Sequence, residues 1–164
     1  MPDLVFNTGP VIALTAAVES LEFLNRLYNE ILIPFEVLRE LEAGGANCSE
    51  LVAIRGCSVF RPLSEPVDLP VLLRSQLDSG EASVIQNALM HNVGTVVIDE
   101  KLGRRMARLH ELRVTGSVGI LVKAARVGLI PDLNTCFDRM RSKDVWISED
   151  LEKQAILAAQ NSSL

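Results

Sequence analysis

The chain has 164 residues, 48% of them hydrophobic, and a formal net charge of −5 at pH 7. That length suits one domain with a sizeable core, and a mean hydropathy of +0.24 excludes a disordered chain. Aromatic residues make up only 4%, so Leu, Val, Ile and Ala must build the core. The acidic balance excludes a broadly basic surface, but a local basic stripe or bound divalent cations could still supply a positive field for nucleic acid. Cys48, Cys57 and Cys136 are odd in number and fit no Cys-x-x-Cys spacing, which predicts free thiols in a reducing cytoplasm. No apolar run approaches membrane-spanning length and no basic stretch precedes an apolar one, so the expectation is a soluble cytoplasmic protein without a membrane partner. In that compartment the sequons at Asn47-Cys48-Ser49 and Asn161-Ser162-Ser163 carry no consequence.

Leu4-Val5-Phe6 reads as a short buried strand closed by Asn7-Thr8-Gly9-Pro10, with Pro10 suited to a first helical turn. Ser20 is expected to cap a second helix with Leu21, Leu24, Leu27 and Tyr28 on one face. Ile31-Leu32-Ile33 is another strand, stopped by Pro34, and a helix follows through Val37, Leu38 and Leu41 to the Gly44-Gly45 break. A weaker helical stretch covers 47–56, Ser58-Val59-Phe60 reads as a strand, and the proline-rich segment 62–70 as a surface loop. Helices near 70–77 and 80–92, a strand at 95–98 and a helix at 100–111 come next. Val114-Thr115 is a last strand, before helices at 117–127, 132–141 and 148–160. Short apolar strands that lack in-out alternation and alternate with helices imply a parallel sheet covered on both faces. The organisation expected is one α/β domain over 1–131 with a helical C-terminal extension, 132–164, packed on it.

Four segments place an acidic or amide residue beside an apolar run, supplying Asn7, Glu40, Glu81 and Asp99. In open parallel sheets ligands gather outside the carboxyl ends of the strands. Asn7 directly follows the first strand and Asp99 directly follows Val96-Val97-Ile98, so both belong to that edge if their strands are neighbours. Glu40 and Glu81 lie on helices that could lean into the same cleft. Three carboxylates in one cleft repel each other unless a divalent cation or shared protons neutralise them. Each residue also has a plain structural alternative. Asn7 suits a turn, Glu40 a solvated helix face, Ser79-Gly80-Glu81 a helix start and Asp99 a cap on the helix beginning at Glu100. Singly those alternatives win; the ordered set favours a metal site.

The order strand–Asn-Thr-Gly-Pro–helix, helix with Glu40, Gly80-Glu81-Ala82 and Val97-Ile98-Asp99-Glu100 resembles the PIN-domain nuclease superfamily, within a prokaryotic subfamily of mostly unassigned function. The resemblance covers residues 3–131, including the Gly116-Ser117-Val118-Gly119 turn and the Gly128-Leu129-Ile130-Pro131 exit. It implies a three-layer α/β/α fold with a short central parallel sheet, and cleavage of single-stranded RNA by one or two Mg²⁺ or Mn²⁺ ions held by acidic residues. Carried over by position, those residues are Asn7, Glu40, Glu81 and Asp99, with Glu100 as a helper. The resemblance also implies the toxin role of a toxin–antitoxin pair, an antitoxin protein as partner and a homodimer, for which the apolar helices near 10–28 offer a surface. Asn7 stands where the superfamily usually has Asp: its amide oxygen can ligate a hard cation but brings no charge. The competing reading is therefore a PIN-like module that binds RNA or a protein without cutting. Thr8 could add a hydroxyl, to a bound water or to a carboxylate.

Lys101, Arg104, Arg105 and Arg108 recur at helical spacing after Asp99, with Leu102, Met106 and Leu109 on the opposing stripe. This ridge is suited to a phosphate backbone, and equally to a solvated helix face. The Gly116-Ser117-Val118-Gly119 turn could bind an anion through backbone N–H groups, although a tight strand-to-helix turn explains it as well. His91 and His110 lack partners at ligand spacing, and Trp146 is expected to anchor the last helix. An Asp-x-Asp phosphatase motif, the early acidic pair of a receiver domain, a Gly-x-x-x-x-Gly-Lys loop and a Gly-x-Gly-x-x-Gly turn are all absent from the sequence.

Overall fold

Five short runs of the chain form strands: β1 (Leu4–Phe6), β2 (Ile31–Ile33), β3 (Phe60–Pro62), β4 (Thr95–Val97) and β5 (Arg113–Thr115). In the computed structural model, which describes residues 1–130 and 132–161, they form one sheet in the order β3-β2-β1-β4-β5. Every pairing is parallel. Every residue of β1 and β2 is buried, as apolar strands covered on both faces require.

The helices between the strands are α1 (Thr8–Ala17), α2 (Phe35–Glu42), α3 (Ser49–Gly56), α4 (Val71–Gln76), α5 (Ser79–Met90) and α6 (Lys101–Leu109), and α7 (Ser117–Arg126) follows β5. After α7 come α8 (Leu133–Ser142) and α9 (Glu149–Gln160). α5 packs on β1 and β4, whereas α1 packs against α3, α7 and α8, which makes the three-layer α/β/α arrangement expected from the strand–helix alternation. Phe6, Leu32, Ile85, Ile98 and Phe137 are among the largest fully buried side chains, and Phe6 meets Phe60 edge to face at 5.8 Å. α7 packs on α9, so the stretch after residue 131 lies on α1 and α7. The junction at Pro131 itself and residues 162–164, with the last two residues of the second sequon, lie outside the described residues.

Two expectations shift. The segment after Ser20 is a 3₁₀ turn, Leu21–Arg26, opened by the Ser20 hydroxyl accepting from the Glu22 amide, and Leu27-Tyr28 fall past its end. The strand expected at 58–60 begins at Phe60, because the Val59 amide is taken by Asn25 Oδ1 at 2.9 Å and Phe60 is the residue that registers with Ile31. The apolar residues near 10–28 turn mostly inward, with Ile12 left exposed. Val11, Ala13, Leu14, Ala16, Ala17, Leu21 and Leu24 are all buried within the chain.

What matters for function is the strand order. The chain winds outward in one direction through β1, β2 and β3, and in the other through β4 and β5. A crevice therefore opens between β1 and β4 at their carboxyl ends. Phe6 registers with Val97 and the Asn7 amide continues the ladder to the Val97 carbonyl at 3.0 Å, so Asn7 emerges beside the exit of β4.

Candidate metal and nucleic-acid site

Each strand–helix unit starts its helix at the carboxyl edge, so the N-termini of α1, α5, α6 and α7 converge there. Their backbone N–H groups provide a positive field for carboxylates. Asn7 and Glu100 precede the first residues of α1 and α6 without capping them through their side chains, Thr8 is the first residue of α1, and Glu81 lies in the first turn of α5.

The structure brings Asn7, Glu40, Glu81 and Glu100 together. Asn7 is 4% exposed; its Nδ2 donates to Glu100 Oε2 at 3.5 Å, while its Oδ1 is buried with no hydrogen-bond partner among the described residues. A carboxylate on one side fixes the amide with its N–H groups that way and its oxygen the other. The Thr8 hydroxyl donates a short hydrogen bond to Glu40 Oε2, so the hydroxyl goes to a carboxylate. Glu81 sits three residues after Asp78, whose Oδ1 accepts from the Glu81 amide at 2.8 Å, so the helix-start alternative is also true of it. Capping alone does not account for its burial, at 7% exposed. Burial, and then the charges of Asp78, Glu100 and Glu40, push the Glu81 carboxyl up to about 7, while the Asp78 backbone N–H partly offsets them.

Glycines make the room. A Cβ on Gly9 would stand 3.0 Å from Glu100 Oε1, and one on Gly103 would stand 2.7 Å from Glu81 Oε1 and 2.9 Å from Ile98 Cγ2. A Cβ on Gly80 would strike both oxygens of Glu40, and one on Gly116 would stand 2.5 Å from Asp99 Oδ1. Each carboxylate thus rests against a glycine of a different strand–helix unit.

Asp99 is turned elsewhere. Its Oδ1 accepts from the Ser117 amide at 2.8 Å and its Oδ2 from the Ser117 hydroxyl at 2.9 Å. It therefore caps α7 across the sheet edge, not the helix that follows it. The anion at the Gly116-Ser117 turn is this carboxylate. Asp99→Ala should therefore lower stability by about 1–2 kcal/mol with or without divalent ions, measured by chemical denaturation in chelator. An unchanged stability would mean that the cap contributes nothing.

Among the described residues, no group of three or more His, Cys, Asp or Glu side chains stands where it could hold a metal ion. The donors nonetheless suit a hard cation in kind: carboxylates around an unpartnered amide oxygen, in an edge whose negative charge already raises Glu81. The Glu81 shift has a consequence in metal-free protein. Its folded value near 7 lies above the ordinary 4.5, so between those two pH values the unfolded chain ionises while the folded one holds its proton. The Glu81 contribution should be full below the lower value, fall by on the order of 1–3 kcal/mol across the window and then level off. Glu81→Gln should flatten that fall in urea melts; an equal slope in both proteins would place the titration elsewhere.

The basic ridge is partly as expected. Lys101, Arg105 and Arg108 are exposed, while Arg104 is half-buried, with Nη1 donating to the Ile98 carbonyl at 2.7 Å. Burial first, then the neighbouring Arg108, lowers the Arg104 value. The face turned inward consists of Gly103, Met106 and Ala107; Leu102 and Leu109 are exposed, contrary to the stripe expected. Gly103 must face in because α6 lies against Glu81. Trp146 does not anchor α9: it is 82% exposed, and Val145 and Ile147 pack inward on either side of it. Arg141 ties α8 to α9 instead, reaching Glu152 at 2.5 Å.

The PIN-domain family model matches residues 3–161. No curated protein and no solved structure matches the chain. Among the described residues no helix is long and apolar enough to cross a membrane.

Proposed function

This chain belongs to the PIN-domain family, whose members are generally nucleases, and we propose that it is a metal-dependent endoribonuclease hydrolysing single-stranded RNA. The observation that carries the reading is the buried, unpartnered Asn7 Oδ1 among the carboxylates of Glu40, Glu81 and Glu100 at the sheet's crevice. Mg²⁺ or Mn²⁺, held by Asn7, Glu40 and Glu81, would activate water and offset charge on the phosphate in flight, while Asp99, expected from the sequence as a fourth ligand, stays with Ser117. Glu100 orients the Asn7 amide, and Thr8 holds Glu40. Glu81, near 7 without metal, would give up its proton as the cation binds. Lys101, Arg105 and Arg108 steer the backbone, while Arg104, tied to the Ile98 carbonyl, presents a fixed charge beside Asp99.

On the family resemblance alone the reading extends to a toxin with an antitoxin protein as partner, and to a homodimer. The three unpaired cysteines suit a cytoplasmic setting.

Asn7 favours a second reading, an RNA- or protein-binding module that no longer cuts. Cleavage of single-stranded RNA in Mn²⁺ by the natural chain, Asn7→Asp and Glu40→Gln separates the two. The enzyme reading expects cleavage by the natural chain and a loss of about 100-fold or more in Glu40→Gln. Cleavage by Asn7→Asp alone supports the binding module. Silence in all three removes the nuclease reading.

A further inference from the structure

A groove of about 760 Å³ runs from the acidic edge along α7 to α9 and the segment that joins α8 to α9. One end carries Asp99, Lys101 and Arg104; the floor is aliphatic, with Val122 and Ala155; Trp146 stands at the other side. Trp146 is the only tryptophan of the chain, in a protein with 4% aromatic residues, and among the described residues it is the most exposed large apolar one after Met1. Its exposure has a local cause. Residues 145–147 lie outside any helix, and with Val145 and Ile147 both packed inward the residue between them is left facing out.

We propose that this groove takes an unstacked base of the single-stranded nucleic acid whose phosphate lies at the acidic edge, with Trp146 as its stacking platform. The inference rests on the ribonuclease reading and adds to it where the strand runs. A nucleotide is anionic at one end and flat and apolar at the other, and the groove is cationic at the edge end and apolar along its length. Aromatic stacking accepts any base, so the contact favours single strands over duplexes without reading sequence. An amphipathic helix from another protein would match the aliphatic floor but would have no use for Lys101 and Arg104 at its end.

Because the chain has one tryptophan, its emission reports the groove directly. The full chain is titrated with an eight-nucleotide single-stranded RNA in Ca²⁺, a hard cation that offsets the acidic edge, with the RNA checked to be intact after the titration. Saturable quenching is expected, weakening with salt and absent with the duplex of the same sequence. Trp146→Ala should weaken binding of labelled RNA about 5- to 100-fold, with Trp146→Phe recovering most of it and both keeping the natural melting temperature. No quenching, or equal affinity in Trp146→Ala, overturns the inference. So does an emission that shifts to the blue with protein concentration alone, since a second copy would then fill the groove. Cleavage in Mn²⁺ without quenching removes the groove and leaves the nuclease; quenching without cleavage does the reverse.

Discussion

The Asn7→Asp variant is expected to bind Mn²⁺ about 10- to 100-fold more tightly than the natural chain, and to be less stable than it in chelator. Both effects come from one oxygen. Asn7 now gives Glu100 a hydrogen bond at 3.5 Å, the long limit for such a contact, and turns an unpartnered oxygen into the site. In the variant a charged oxygen replaces that donor beside Glu100, at an edge where Glu40 and Glu100 already act on Glu81. Like charges about 4 Å apart at an effective dielectric near 20 repel by roughly 4 kcal/mol, relieved in part by proton uptake, so a loss of about 1–3 kcal/mol remains. A divalent cation reverses the sign, because each added carboxylate now attracts. Melting curves against Mn²⁺ concentration should therefore cross, the variant lower in chelator and higher at saturation. Curves that stay parallel would sink the idea that Asn7 faces a cation.

How much of this could be read before folding depends on the range of each interaction. The strands were legible because Leu4-Val5-Phe6 and Ile31-Leu32-Ile33 are apolar on both faces, and Asn7 directly follows one of them. The shared edge followed from strand–helix alternation. The partition between Asp99 and Glu100 was not legible. They are neighbours in sequence, yet Asp99 turns to Ser117 in the next strand–helix unit and Glu100 turns to Asn7, so only the packed sheet separates them. The glycines were hidden for the same reason. Gly80 precedes Glu81 but makes room for Glu40, and the glycine that makes room for Glu81 is Gly103. Trp146 misled because a large apolar residue invites a place in the core, whereas Val145 and Ile147 on either side take the inward positions.

Those glycines allow stability and activity to be pulled apart. Gly80→Ala should fold at least as well as the natural chain, gaining up to about 1 kcal/mol from helix propensity in α5. It should nevertheless lose about 100-fold in cleavage. The added Cβ would stand 2.6 Å from Glu40 Oε2 and nearer still to Oε1. Glu40 is only half-buried on α2, so its side chain swings away at little cost to the fold and abandons Thr8. A displacement of that size at a catalytic group is enough for a hundredfold loss. Gly45→Ala should show the opposite pattern. Gly45 has φ +110° with nothing near its would-be Cβ, so alanine there strains the backbone and touches no acid. It should lose about 1–2 kcal/mol and keep its cleavage rate. Melting in chelator and cleavage in Mn²⁺, run on both variants, give four readings from two substitutions. If Gly80→Ala cuts as well as the natural chain, Glu40 is not positioned by this glycine, and the pairing of acids with glycines at the edge has no functional meaning.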